Sequence, residues 1–190
     1  MNANPRKTRS LRRLGPVPLG SLREDILAIP DAIWAGENAR KPNRGYDSLD
    51  RTEHIIFRFI RDPGDCRHSV DYPLWASWRE RLEPVLQTAI QPYSYERVHF
   101  PRVMLARMPA GSRIRRHKDA NPAAFWPHKI HVPITTNDKV QFYIEPEFHH
   151  LEVGEAYEVN NLDVHAVNND GDTSRIHLIF ECYDLDQPFA

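Results

Sequence analysis

The stretch of sequence that decides the fold is residues 103–119, VMLARMPAGSRIRRHKD. A mainly apolar segment ends at the turn signal 109–111 (PAG), and a second short segment then runs over residues 112–117. Two short segments separated by a turn predict a pair of antiparallel strands. The stretch closes on His117-Lys118-Asp119. Residues two apart in a strand share a face, so the histidine and the carboxylate can point the same way.

The same pattern of short strands continues through the C-terminal half. Together with 103–108 and 112–117, the predicted strands are 129–134, 140–144, 150–153, 156–159, 164–167 and 175–180. Polar turn residues such as Asn160-Asn161 separate them. Such a series predicts a double-sheet jelly roll, the cupin-like fold also called a double-stranded β-helix. We expect this core to cover about residues 97–182.

Residues 21–91 have a different, helix-bearing pattern. Ser21 and Glu24 match a capping box and predict a short helix. The apolar run 55–60 predicts a strand, and from Asp71 onward apolar residues recur at helical spacing. Pro84 lies inside that second helix and is expected to kink or restart it. The predicted fold class is therefore mainly β with flanking helices.

Composition and charge limit the classes of function. The chain has 190 residues, 41% of them apolar and 27% charged, as in an ordinary globular domain. Residues 1–14 carry five basic residues and no acid, and we expect a flexible arm there. The body, residues 15–190, is expected to be one domain. Its net charge is −6, which together with the +5 of residues 1–14 gives the chain's net charge of −1. An acidic body argues against a nucleic-acid partner.

Cysteine content and hydropathy predict the compartment. The two cysteines, Cys66 and Cys182, are too few for a disulfide framework and fit a reducing cytosol. No apolar run approaches the roughly 20 residues that span a bilayer. The basic N-terminus is not followed by the apolar segment of a signal peptide. We expect a cytoplasmic protein without a membrane partner; the sequence leaves its oligomeric state open.

One set of polar residues predicts a metal centre. The chain contains two His-x-acid triplets, His117-x-Asp119 and His150-x-Glu152. The first triplet ends the second predicted strand, which a jelly roll can place beside the strand that begins at His165, and Arg175 follows that histidine ten residues on. Two histidines and one carboxylate bind non-heme Fe(II) and leave three positions open. Those positions suit a bidentate 2-oxoacid and dioxygen, while the planar guanidinium suits a second carboxylate.

Eight ordered blocks of the C-terminal half resemble the aspartyl/asparaginyl β-hydroxylase family. The blocks are Leu105-Ala106-Arg107, Gly111, His117-x-Asp119, His131-Val132-Pro133, Thr136-Asn137, Gly154-Glu155-Ala156, His165-Ala166-Val167-Asn168-Asn169 and Arg175-Ile176-His177-Leu178. With its carboxylate at Asp119, the chain resembles the soluble bacterial members. The resemblance implies a double-stranded β-helix, Fe(II) as cofactor, and 2-oxoglutarate and dioxygen as co-substrates.

The resemblance also implies roles for single residues. His117, Asp119 and His165 would be the catalytic metal ligands. Arg175 would hold the distal carboxylate of 2-oxoglutarate, and His131 matches a histidine that helps to bind it.

Four further residues are expected around this site. His177 would orient groups below Arg175, and Arg107 would line the same cavity beside the co-substrate. Trp126 and Lys129 lie where relatives contact the substrate.

The expected function is hydroxylation of an unactivated C–H bond in an amino-acid side chain. The substrate would be a free amino acid, a peptide or a natural-product residue. Two alternatives stay open at this point. One is a cupin-like metalloenzyme that does not use 2-oxoglutarate, in which Arg175 and His131 would have no joint role. The other is a non-catalytic jelly-roll binding module.

Overall fold

Two antiparallel β-sheets face each other and form the jelly roll that the strand pattern predicts. The structure, a computed structural model, describes residue 7 and residues 9–42, 51–119 and 121–187. The first part of the predicted basic arm, residues 1–6 and 8, lies outside this range.

The helices and strands follow one another with short connections. The helices are α1 (Ser21–Leu27), α2 (Asp31–Arg40) and α3 (Trp75–Ile90). The first six strands are β1 (Leu11–Pro16), β2 (Glu53–Asp62), β3 (Asp65–Asp71), β4 (Val98–His99), β5 (Val103–Met108) and β6 (Arg113–His117). The remaining strands are β7 (His128–Thr135), β8 (Val140–Ile144), β9 (Glu147–His149), β10 (Glu155–Val159), β11 (His165–Asn169) and β12 (Arg175–Asp184).

The larger sheet has the order β1-β10-β7-β12-β5-β2-β3, with β4 paired to β12. The smaller sheet has the order β6-β11-β8-β9. Side chains alternate along each strand, so the larger sheet has two different faces. One face carries Leu105, Leu178 and Phe180, which pack with apolar residues of all three helices, including the fully buried Leu86. The other face is turned toward the smaller sheet.

The space between the sheets is filled in part by a second apolar cluster. Met108 and Tyr157 of the larger sheet pack there with Phe142 and Val167 of the smaller one. The remainder of this face carries polar residues, among them Arg175 and His177 at the start of β12. Strand β12 lies between β5 and β7, where no edge is open to water. Its inward-facing polar groups are therefore held in dry surroundings.

The structure corrects three details of the sequence prediction. Residues 11–14 do not belong to a flexible arm, because Leu11–Pro16 pairs with β10 along the edge of the larger sheet. The predicted strand 150–153 is wrong; the strand lies at Glu147–His149 instead. Pro84 does not restart the second predicted helix, because α3 is continuous from Trp75 to Ile90. Among the described residues, no helix has the length and apolar character needed to cross a membrane.

Candidate functional site

Strand pairing brings the predicted metal ligands together. His117 at the end of β6 is directly opposite His165 at the start of β11, and their ring centroids are 4.2 Å apart. The backbone N–H of Asp119 donates to the carbonyl of Asn161 at 2.9 Å, which fixes the carboxylate after the strand has ended. One ligand atom from each of His117, Asp119 and His165 lies within 4.8 Å of the others. These three residues are placed to hold one metal ion.

The hydrogen bonds of both histidines suit metal binding. The Nδ1–H of His117 donates to the carbonyl of Arg115 at 2.8 Å, and that of His165 to the carbonyl of Asp163 at 3.0 Å. Each bond fixes the tautomer whose Nε2 carries a free lone pair, and such backbone bonds orient histidine ligands at metal centres. Burial is the largest cause that lowers the pKa of His165, to about 4, so its imidazole is neutral at neutral pH.

Lys129 on β7 contacts the carboxylate of the metal set. Its ammonium donates to Asp119 Oδ2 at 2.5 Å, while Asp119 Oδ1 lies 3.8 Å from His117 Nε2. Burial acts to raise the pKa of Asp119, but the Lys129 charge, with a contribution from His165, lowers it below its usual range. The carboxylate is therefore ionised, with one oxygen held by Lys129 and the other turned toward the histidines.

Arg175 lies fully buried between the sheets. Its Nη2 donates to His177 Nδ1 at 2.6 Å, and its Nε has no hydrogen-bond partner among the described residues. No carboxylate of the described residues forms an ion pair with this guanidinium, and burial lowers its pKa to about 9. The side chain is still cationic at neutral pH. A buried cation without a protein anion is costly, and this cost points to an anionic ligand.

His131 and His177 extend this group across two strands. Since His177 Nδ1 accepts from Arg175, the hydrogen between His177 Nδ1 and His131 Nδ1, 3.3 Å apart, belongs to His131. His177 then carries its hydrogen on Nε2, and His131 has a free lone pair on Nε2; neither Nε2 has a partner among the described residues. Burial is the largest cause that lowers both pKa values well below the ordinary range. The charges of Lys129, Arg175 and Asp119 all act on His131, which is therefore close to both the metal set and Arg175.

Arg107 is not part of this site, contrary to the sequence prediction. It is opposite Ile176 on β12, so it projects from the helix-covered face, whereas Arg175 and His177 project from the other. Its guanidinium pairs with Glu53 and Asp31, each at 2.6 Å, and lies 4.6 Å from the Trp34 ring. These contacts tie β5 to β2 and α2 and give Arg107 a structural role.

The two residues that were expected to contact substrate lie in different surroundings. Lys129 lines a cavity of about 200 Å³ that also reaches Asp119. Trp126 packs instead against a small cluster formed by Ile60, Cys66 and Tyr183, and it is not among the residues that line the cavity. The structure therefore brings Lys129 to the metal set and leaves Trp126 in a packing position.

The cavity reveals polar residues that the sequence did not single out. His54, Arg102 and Glu181 line it together with the apolar residues Met104 and Ile179. Glu181 lies six residues after Arg175 on β12. Since side chains alternate between the two faces of a strand, this spacing predicts that Glu181 faces the same side as Arg175. The predicted strand ended one residue too early to include it. His54 and Arg102 carried no such signal, because they come from β2 and from a loop before β5.

Comparison with known sequences identifies one protein family. The sequence model of the family described as aspartyl/asparaginyl β-hydroxylase matches residues 75–184, more than half of the chain. The match includes all three candidate metal ligands as well as His131 and Arg175. A comparison with curated protein sequences gave no significant match.

Solved structures share the fold at low sequence identity. A 2-oxoglutarate/Fe(II) oxygenase-family protein from Burkholderia pseudomallei is 16% identical with a TM-score of 0.54, over 69% of this chain and 65% of that one. The viral collagen prolyl hydroxylase of Paramecium bursaria Chlorella virus-1 is 11% identical with a TM-score of 0.53, over 95% and 98%. The α-ketoglutarate-dependent epimerase SnoN of nogalamycin biosynthesis is 12% identical with a TM-score of 0.62, over 95% and 80%. These likenesses concern the fold, and the family follows from the sequence match: the chain belongs to the aspartyl/asparaginyl β-hydroxylase family.

Proposed function

We propose that the protein is an Fe(II)- and 2-oxoglutarate-dependent dioxygenase that hydroxylates an unactivated C–H bond of an amino-acid side chain. The substrate class is a free amino acid or a residue of a peptide or natural product. The observation that carries this proposal is the pairing of two sites. The His117, Asp119 and His165 donors converge within 4.8 Å, and on the facing sheet lies a buried guanidinium, Arg175, without an acidic partner among the described residues.

The donor set fits Fe(II). Two neutral imidazoles and one carboxylate are the facial arrangement that binds non-heme iron and leaves coordination positions for co-substrates. When bound, the iron supplies the activation of dioxygen that C–H hydroxylation requires. His117 and His165 would hold it through their Nε2 atoms, and Asp119 through the oxygen that Lys129 does not hold.

The remaining residues would bind and orient 2-oxoglutarate. Arg175 supplies a planar donor group for its distal carboxylate, and dry surroundings strengthen that charge-assisted contact. His177 fixes the guanidinium through the bond to Nη2. The Nε2–H of His177 is a further donor for the co-substrate, and His131 holds His177 in place through the contact between their Nδ1 atoms.

This arrangement favours the oxygenase over the other candidates. A metalloenzyme that does not use 2-oxoglutarate would give Arg175 and His131 no joint role, yet His177 joins the two. A binding module would not need a buried, unneutralised guanidinium beside three converging metal donors.

The two cysteines of the chain are both free and buried, in keeping with our proposal of a cytoplasmic location.

The metal ligands provide the direct test. His117→Ala, Asp119→Ala and His165→Ala should each abolish the 2-oxoglutarate-dependent formation of succinate and weaken Fe(II) binding, because each removes one of three donors. Calorimetric titration with Fe(II) under anaerobic conditions measures the affinity, and a thermal melt reports whether the fold survives.

The second His-x-acid triplet supplies the matched control. His150 is exposed, directly follows β9 at the opposite edge of the smaller sheet from β6, and bonds to the Val140 carbonyl. His150→Ala should keep the wild-type iron affinity and succinate formation. Near-normal turnover in two of the three ligand variants would refute the metal assignment.

A further inference from the structure

The cavity beside the metal set has the size of a small-molecule site. Its volume is about 200 Å³, below the roughly 300–1,000 Å³ of sites for drug-sized ligands. Its lining includes Asp119, one of the three candidate metal donors, and Lys129, which pairs with that carboxylate. Arg102 and Glu181 belong to its wall, which is otherwise formed largely by apolar residues such as Met104. A molecule in this cavity would therefore lie against both the metal centre and a pair of opposite charges.

Arg102 and Glu181 form a buried ion pair with unused binding capacity. Arg102 Nη1 donates to Glu181 Oε2 at 2.5 Å, and the side chains are only 9% and 5% exposed. Arg102 Nη2 also reaches Asn121 Oδ1 at 3.4 Å. A guanidinium has five N–H donors and a carboxylate has about four acceptor positions. The described contacts occupy only part of each set, so both groups can bind a ligand without separating.

The backbone holds the two charges side by side. The N–H of Glu181 donates to the carbonyl of Arg102 at 2.9 Å. The Phe59 ring lies 5.2 Å from the Arg102 guanidinium carbon and limits how far that group can turn. One anion-binding group and one cation-binding group are thus fixed next to each other. In a free α-amino acid, a carboxylate and an ammonium group are likewise attached to one carbon.

His54 adds an unpartnered polar atom to the same cavity. It is 3% exposed and lies on β2 opposite Ala106. Its Nε2 lies 3.3 Å from the Thr52 hydroxyl, and its Nδ1 has no hydrogen-bond partner among the described residues. Buried polar atoms are nearly always paired. An orphaned nitrogen on the wall of a cavity is an independent sign that a polar ligand belongs there.

We propose that this cavity binds a free α-amino acid, with its carboxylate on Arg102 and its ammonium group on Glu181. The inference rests on the proposed oxygenase function and narrows its substrate class. The head group is held at the charge pair, and the side chain extends toward Asp119 and the metal centre. A residue inside a peptide has neither a free carboxylate nor a free ammonium group at its α-carbon, and it would leave the pair without its ligand.

Chemically blocked amino acids test the proposal with the unaltered enzyme. Each proteinogenic L-amino acid is supplied with Fe(II) and 2-oxoglutarate in its free, N-acetyl and carboxamide forms. Succinate formation is measured, and mass spectrometry detects the added oxygen. At least one free amino acid should raise succinate formation above the rate without substrate and gain one oxygen. Blocking either end of that amino acid should lower kcat/KM by about 10- to 100-fold, as expected for one lost charge-assisted contact.

A substitution of Glu181 tests whether this residue binds the ammonium group of the substrate. Glu181→Gln should raise KM for the free amino acid by about 10- to 100-fold and leave KM for its N-acetyl form unchanged, since that form has no ammonium group to lose. Glu83→Gln is the matched control, because Glu83 pairs with Arg79 at 2.6 Å on the surface of α3. It should change neither value. If Glu181→Gln does not fold, the blocked amino acids decide the question alone.

Failure of this inference is distinguishable from failure of the proposed function. Without Fe(II) binding and without any succinate formation, the oxygenase assignment fails, and the substrate assignment fails with it. If succinate forms slowly in the absence of substrate but no free amino acid accelerates it, the substrate assignment alone is overturned. Equal activity on free and N-acetyl forms, or an equal rise of both KM values in Glu181→Gln, overturns it as well. A Glu181→Gln variant that instead raises KM for 2-oxoglutarate would assign the cavity to the co-substrate.

Discussion

Among single residues, Arg175 has the surroundings that say most about its task. The buried Arg102 and the half-buried Arg107 differ from Arg175 in how they are neutralised. Arg102 has Glu181 and Arg107 has both Glu53 and Asp31, whereas the described contacts of Arg175 include a neutral imidazole and no carboxylate. Removing a guanidinium from water without an anion is unfavourable. The protein tolerates this cost at the place where a dicarboxylate co-substrate would provide the missing anion.

Arg175→Lys should therefore raise KM for 2-oxoglutarate by about 10- to 100-fold, and Arg175→Ala by more. Lysine keeps the charge but loses the planar pair of donors, and one charge-assisted contact is worth about 1.5–3 kcal/mol. Steady-state kinetics with varied 2-oxoglutarate concentration measures the change.

Arg107→Lys is the matched control, because it makes the same substitution on the opposite face of the same sheet. It should leave KM for 2-oxoglutarate unchanged. Wild-type affinity in Arg175→Lys, or an equal loss in both variants, would refute the assigned role.

At the level of elements, the loop between β10 and β11 connects the metal strands to the N-terminal segment. Asn161 in this loop is fully buried, and its carbonyl accepts the N–H of Asp119. Its side-chain amide donates to the Ala124 carbonyl at 3.3 Å, and its amide oxygen accepts from Lys7 Nζ. Burial lowers the pKa of Lys7 to about 8. One asparagine thus joins three separate segments behind the metal centre.

Asn161→Ala should lower the free energy of unfolding by about 2–3 kcal/mol, because the Lys7 ammonium and the Ala124 carbonyl each lose one hydrogen bond and keep only the one between them, at 2.9 Å. The backbone carbonyl that accepts the Asp119 N–H remains, but the loop that carries it loses the side-chain contacts of Asn161. Groups that orient metal ligands typically change metal affinity by about 10- to 100-fold, so Fe(II) binding should weaken by about 10-fold. Urea unfolding and calorimetric titration measure the two effects. Gln87→Ala on the exposed face of α3 should change neither. Loss of stability with unchanged iron affinity would show that the loop does not position Asp119.

The elements also show how far sequence patterns reach. Turn signals and alternation located the strands of the jelly roll, because each of them is a local property. β1 was missed since its pairing with β10 joins residues that are far apart in the sequence. The strand at Glu147–His149 was placed a few residues too late, because its position is determined by pairing with β8. A short stretch of sequence does not show which distant strand it will pair with.

On the scale of the whole molecule, one sheet serves two purposes with its two faces. The helices cover the face that carries Leu105 and Leu178, and the site lies on the face that carries Arg175. The convergence of His117, Asp119 and His165 could be predicted because the order and spacing of these residues are recorded in the chain. The face of the sheet on which Arg107 lies could not be predicted, because a shift of one residue in the strand register moves each side chain to the opposite face. The charge pair of Arg102 and Glu181 was missed because the pairing of β5 with β12, which places the two residues side by side, joins parts of the chain that are far apart in the sequence.

Closing the barrel also buries histidines that must stay neutral, and this makes the stability of the metal-free protein depend on pH. Burial is the largest cause that lowers the pKa of His54, to about 3, and those of His131 and His177 well below the ordinary value. The unfolded chain binds protons at these histidines near pH 6.5 while the folded protein does not, so their contribution is complete above pH 6.5 and is lost as the pH falls. His54 should add a slope of about 1.4 kcal/mol per pH unit between pH 6 and pH 4, and His131 and His177 should steepen the dependence in the same direction. Urea unfolding across this range measures the slope. His54→Leu should reduce it by the share of one group; an unfolding free energy that is flat from pH 7 to pH 4.5 would contradict the neutral, buried state of these side chains.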